Sequence, residues 1–363
     1  RSVSHESNVR QRRNAKAMMT STPAVPVFDG HNDTLLKLHL SPRADKETLF
    51  MEGAPAHWHI DLPRARKGGL AGGMFAMFPP PVGKQPEKPA HASSMPGDDE
   101  PMAPRLPLDE ARNSTLGMAS ILLRLERAGA LRICRSAADI RAAMARGVLA
   151  AVFHIEGAEA IDTDLAMLDV LHAAGLRSLG LVWSRPNAFG HGVPFRFPAS
   201  PDIGDGLTDA GKALVKACNR LKIQVDLSHL NEKGFRDVAA LSDAPLVATH
   251  SNVHSISASA RNLTGWQLGA IRDSKGMVGL NFATGFLDPE GASGRSAGLD
   301  IMVRHVDALL EALGEDGVGL GSDFDGARIP DAIGAFRKRG YGEELIEKIA
   351  WKNWVNVLER GIG

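Results

Sequence analysis

The chain has only two cysteines, Cys134 and Cys218, in 363 residues. Two thiols cannot build a zinc ribbon or a disulfide framework, so a bound metal must rely on nitrogen and oxygen ligands. Both are read as buried, reduced thiols. Nowhere do about 18 apolar residues run together, so no segment reads as a transmembrane helix. The opening RSVSHESNVRQRRNAKAMMT has no apolar core of the secretory kind, and the closing NVLERGIG has no hydrophobic tail for a GPI anchor. The expectation is a cytoplasmic protein whose residues 1–22 form a disordered arm. An excess of either charge is also missing, with 42 basic residues against 42 acidic. A neutral chain gives no electrostatic reason to expect nucleic acid or an anionic membrane as partner.

What the chain does have is apolar substance, 44% of its residues, enough for a large core. Eight short apolar runs, bounded by Gly, Pro or polar residues, read as strands: Val25–His31, Leu70–Phe78, Leu149–Ile155, Arg177–Trp183, Ile223–His229, Pro245–His250, Met277–Ala283 and Val318–Ser322. Helical spacing of apolar residues marks Asp109–Ala130, Asp164–Ala174, Asp209–Leu221, Glu232–Leu241, Trp266–Asp273, Leu299–Leu313 and Glu343–Glu359. Strands that are apolar throughout and alternate with helices imply parallel pairing with both faces covered. Eight such units predict an α/β fold of the (β/α)8 TIM-barrel kind. A doubly wound open sheet fits less well, because GHNDTL after the first strand is no phosphate-binding turn. No repeat and no second-domain boundary is visible, so 23–363 is read as one catalytic domain. Pro79–Pro107, crowded with proline and without periodicity, reads as a long loop over the C-terminal face of the barrel, as a lid or as a tolerated insertion.

The strand ends carry the chemistry. The first run ends in His31 with Asp33 two residues on, the third reaches Glu156, the fifth His229, the sixth His250 and the eighth Asp323. In a barrel these ends converge on one pocket. Each residue alone has an ordinary explanation as a turn, cap or packed side chain. Together they place three imidazoles and three carboxylates in one space, a set that suits zinc. His31 and Asp33 can both turn inward, Glu156 is placed to bridge two ions, and His229 and His250 complete the second. His154 lies two residues before Glu156 and either faces the same pocket or packs structurally.

The segments FDGHNDTL, FHIEGAEAI, GLTDAGKALVKACNRL, VDLSHLNEKGF, THSNVHSISASARNLT and GLGSDFDG resemble those of the membrane (renal) dipeptidases, in that family's order, from Phe28 to Gly326. The resemblance implies a barrel of the metal-dependent amidohydrolase type and two zinc ions per chain. His31 and Asp33 would bind one ion, His229 and His250 the other, with Glu156 between them. It implies hydrolysis of dipeptides with a free C-terminal carboxylate, some with a D-residue at that end, by a metal-bridging hydroxide. Asp323 would transfer the proton and Arg261 would grip the carboxylate. A homodimer is expected by the same analogy. There is one departure. Where mammalian members carry a carbonyl-polarising histidine, this sequence has Trp183, and His191 or Asn187 on the same loop would have to act on substrate instead. Three rivals stay open at this stage: another amide, lactone or phosphoester hydrolase on the same barrel, a metal-binding protein without catalysis, and a partner-binding protein that docks through the Pro-rich loop.

Overall fold

The computed structural model describes residues 25–80, 102–291, 298–325 and 332–363. The expected arm at 1–22 and most of the Pro79–Pro107 loop lie outside the described residues. Nine parallel strands are described: β1 (Val27–Asn32), β2 (Leu70–Met77), β3 (Leu131–Ile133), β4 (Leu149–Glu156), β5 (Leu176–Gly180), β6 (Gln224–Asp226), β7 (Val247–Ser251), β8 (Met277–Leu280) and β9 (Val318–Leu320). β1 pairs with both β2 and β9, and β2 also pairs with β4, which closes an eight-stranded barrel with flanking helices. This is the (β/α)8 architecture expected.

The sequence reading lacked β3 and the helix after it, Ala137–Ala145. β3 stands outside the ring of eight, pairing with residues 149–151 of β4, while β5 pairs with residues 153–156. Three short helices between β1 and β2, Thr34–Leu40, Lys46–Glu52 and Leu62–Gly68, were also not expected. Seven-residue helices hold too few apolar repeats for periodicity to register.

β4 explains how this sequence lines a barrel. All eight of its residues are buried, and they alternate between two cores. Ala151, Phe153 and Ile155 pack with the outer helices. Ala150 and Val152 face the barrel floor, with Phe28, Met74, Val247, Met277 and Trp354. The floor is plugged by Trp354, from the helix Asn353–Ile362, whose Nε1 donates to the Leu320 carbonyl at 2.8 Å. A Cβ at Gly30, Gly279 or Gly319 would run into this indole, so those strands need glycine there. Among the described residues, no helix is long and apolar enough to cross a membrane.

Candidate active site

Continuing the two-residue alternation of β4 past Val152 puts His154 and Glu156 on the inner face, above the floor. Glu156 Oε1 lies 2.9 Å from His229 Nε2 and 3.3 Å from His250 Nε2, and the two imidazole nitrogens are 3.1 Å apart. All three side chains are buried. The proton on His250 can be placed by its neighbours. The Thr249 hydroxyl lies 2.7 Å from Asp226 Oδ2 and 2.8 Å from His250 Nδ1. A hydroxyl has one proton, and the Asp226 carboxylate takes it, so the Thr249 oxygen must accept from an Nδ1–H. His250 Nε2 therefore turns a bare lone pair toward Glu156 and His229. Burial holds both imidazoles well below the ordinary histidine range, with Arg261 and His31 adding to it. Acceptors gathered this closely call for a cation. Ligand atoms around one tetrahedral ion with bonds of about 2.0–2.1 Å stand roughly 3.3 Å apart, and the three distances here match. Ser184 Oγ sits 2.8 Å from His229 Nδ1 and orients that ring as Thr249 does His250.

A second group shares the space. His31, Asp33 and Asp323 bring ligand atoms within 4.8 Å of one another, as do His31, Glu156 and His250. His31 Nε2 is 3.7 Å from both Asp33 Oδ1 and Glu156 Oε2. Both His31 nitrogens and Asp33 Oδ1 are buried without a hydrogen-bond partner, donors that fit a cation. Burial pushes Glu156 up to about 8, with Asp33 and Asp323 adding to the shift and His31 opposing it. Burial would lower His31, but Glu156, Asp33 and Asp323 outweigh it and push the imidazole up to about 10. Without a metal, the cluster thus retains protons as its cations. Asp323 has φ +57° and His229 φ +66°, a left-handed conformation that non-glycine residues seldom adopt. Asn281 Nδ2 donates to Asp323 Oδ2 at 3.0 Å.

Arg261 enters from beyond β7, 3% exposed. Its Nη2 donates to the His250 carbonyl at 3.1 Å, its guanidinium lies 5.4 Å from the Phe286 ring centre, and its Nε is buried without a partner. The aromatic rings of Phe78, Trp183, Phe195 and Phe286 follow one another at 4.8, 5.3 and 5.6 Å, and Trp183 lies 5.9 Å from the His229 ring. One buried space therefore has imidazoles and carboxylates on its floor, a guanidinium to one side and an aromatic wall.

The model of the membrane dipeptidase family (peptidase family M19) matches residues 12–361. The chain belongs to the membrane dipeptidase family. A metallo peptidase from Rhodobacter sphaeroides, solved with a phosphinate mimic of the dipeptide L-Ala-D-Ala, is 51% identical with a TM-score of 0.88, covering 93% of this chain and 99% of that one. The dipeptidase AC, also of family M19, is 52% identical with a TM-score of 0.87, covering 94% and 99%. A Klebsiella pneumoniae protein described only as uncharacterized, in the pqqA 5′ region, is 48% identical over 242 residues, 64% of this chain and 89% of its own length. The chain is thus a metallo-dipeptidase, a hydrolase on a TIM barrel.

His31, Asp33, Glu156, His229, His250, Asp323 and Arg261 come together, and Trp183 lines the same space. Two residues expected to act on substrate have contacts within their own loops. Asn187 spends its amide on its own loop: Nδ2 donates to the Leu181 carbonyl at 2.8 Å, and Oδ1 accepts from the N–H groups of Phe189 and Gly190. It shapes the turn, and its side chain also bonds the buried Glu159 carboxylate. His191 rests its ring against Gly204, and its carbonyl accepts from Asn231 N–H, both contacts within the loops. His154 is buried beneath the cluster, with Nδ1 2.9 Å from Ser178 Oγ and its ring edge-on to His31. Burial lowers it to about 3, so it stays neutral. The sequence reading missed Thr249, Ser184, Asp226 and Asn281, which orient the site. Only the TH pair at Thr249 and His250 hinted at a hydroxyl beside an imidazole.

Proposed function

We propose that this metallo-dipeptidase works with two zinc ions per chain and cleaves dipeptides that keep a free C-terminal carboxylate, including those with a D-residue at that end. The observation that carries the reading is the gathering of His31, Asp33, Glu156, His250 and Asp323, with His229 against Glu156, beside the unpaired Arg261 Nε. His31 and Asp33 would hold one ion, His229 and His250 the other, with Glu156 between them. Imidazole and carboxylate donors without a thiolate suit zinc. When bound, such ions lower the pKa of a water and polarise a carbonyl.

The chain's own residues do the rest. Arg261 Nε and an Nη form a planar fork that grips the substrate carboxylate and sets the peptide bond over the carboxylate cluster. Asp323, held by Asn281, accepts the proton of the attacking water on its carboxylate and returns it to the leaving nitrogen. Trp183, Phe195 and Phe286 keep water off the substrate side chains. The L-Ala-D-Ala mimic bound by the Rhodobacter sphaeroides relative supports tolerance of a D-residue.

The test is metal content by elemental analysis, paired with hydrolysis of a small library of L-X–L-Y and L-X–D-Y dipeptides and their C-terminal amides. About two zincs per chain, turnover of free dipeptides and no turnover of the amides are expected. Equal turnover of amides and free dipeptides would remove the role of Arg261. Full activity with a single metal would remove the paired site.

A further inference from the structure

We propose that His59, supplied from outside the barrel strands, is a positioning residue that aims the Asp323 carboxylate by clasping Asp325. The inference rests on the reading of Asp323 as the proton-transfer group. Asp323 and Asp325 both adopt left-handed backbone, at φ +57° and +71°. Two non-glycine residues in that region within three positions form a turn that local preference disfavours. The surroundings must therefore hold it.

The near half of the turn is tied to the barrel. Asp323 N–H donates to the His31 carbonyl at 3.0 Å, Phe324 N–H to Ser322 Oγ at 3.1 Å, and Asp33 N–H to the Phe324 carbonyl at 2.9 Å. The far half is tied to His59. The His59 N–H donates to Asp325 Oδ1 at 2.8 Å, and the Asp325 N–H donates back to His59 Nδ1 at 2.8 Å. This reciprocal pair spans 266 positions of sequence and buries Asp325 to 6% exposure. The His59 ring also lies 5.4 Å from the Phe324 ring. His59 comes from the segment between the helices Lys46–Glu52 and Leu62–Gly68. Its distinctive contribution is an acceptor at Nδ1, since a ring nitrogen that receives an N–H carries no proton of its own. If that bond goes, the Asp325 amide loses its partner and the turn can relax toward ordinary φ, rotating Asp323 away from its bond to Asn281.

The chemistry of the clasp sets the variants. In His59→Asn the amide oxygen takes the place of Nδ1. His59→Gln carries the same acceptor one methylene too far, and His59→Ala has none. For Ala and Gln we expect kcat to fall about 10–100-fold, as a small misplacement of a catalytic group does, with KM for a free dipeptide held within about twofold and bound metal unchanged. His59→Asn should recover kcat to within about threefold of the parent. Asp323→Asn is measured alongside. Full turnover by His59→Ala beside an inactive Asp323→Asn would overturn the clasp and leave the reading of Asp323 standing. Equal losses in Asn, Gln and Ala, or losses that track missing metal, would overturn it too. An active Asp323→Asn would instead bring down the reading of Asp323, and the inference with it.

Discussion

Replacing Thr249 by valine removes one hydroxyl and little else. Thr249 is fully buried, and its oxygen is the link between Asp226 Oδ2 and His250 Nδ1. Two consequences can be sized. With no acceptor at Nδ1, the imidazole is free to move its proton to Nε2, where it blocks the lone pair that faces Glu156. Loss of such an orienting partner typically weakens metal binding 10–100-fold, about 1.4–2.8 kcal/mol. Asp226 also loses a short charge-assisted bond, though Oδ1 keeps the N–H groups of Thr249 and Ser228 at 2.8 and 3.0 Å. That loss should cost about 1–3 kcal/mol of fold stability. Metal affinity is read by chelator competition, and stability by thermal melting of the metal-free protein. Thr249→Ser, which keeps the hydroxyl, should restore affinity. If Thr249→Val melts earlier but binds metal as tightly as the parent, the assignment of the His250 proton is wrong.

Asp323→Asn should lower kcat about 10²–10⁴-fold with metal content and melting temperature unchanged, because asparagine tolerates the left-handed backbone. Asp323→Ala should add a stability loss of about 1–2 kcal/mol, read by denaturant unfolding. Arg261→Lys keeps the charge but not the fork, so KM for free dipeptides should rise about 10–100-fold, the worth of a bond between charged groups, measured by initial rates. The metal-free protein should also lose stability between about pH 7 and 10. Glu156 and His31 both have raised folded pKa values, so their contribution is complete only below their ordinary values, falls steadily as pH rises from there, and is gone above about 8 and about 10 respectively. His229 and His250 are lowered, so their contribution is already complete above the ordinary histidine range. Melting of the metal-free and zinc-loaded forms across that window checks this, and parallel pH curves would refute it.

Apolar runs made the barrel legible, because a strand buried on both faces leaves a continuous signature. β3 escaped since three residues carry no periodicity, and its neighbours decide its pairing. The inner position of Glu156 follows from alternation along β4. That of His229 does not: β6 ends at Asp226, and His229 reaches the site through a left-handed turn that no pattern in LSHLN announces. The loop bonds of Asn187 are hidden in the sequence for a related reason. An amide in a loop after a strand can serve substrate or its own turn, and only the neighbouring backbone decides. Ser184 and Asn281 act on residues more than forty positions away, and sequence spacing is blind to that.

The floor plug has a consequence for the order in which the molecule can be made. The cradle for the Trp354 indole is assembled from β1, β8 and β9, and the chain emerges from the ribosome with β1 first. Until β9 and the helix beyond it follow, β1 lacks its second neighbour and the barrel has no floor. A nascent chain that already holds His31 and Glu156 is therefore an open sheet with an exposed edge and a hollow base, prone to pairing with the wrong strand. His31, Asp33, Glu156, His229 and His250 are thus all synthesised before the ring can close, Asp323 follows directly on the strand that closes it, and Trp354 seals the base last.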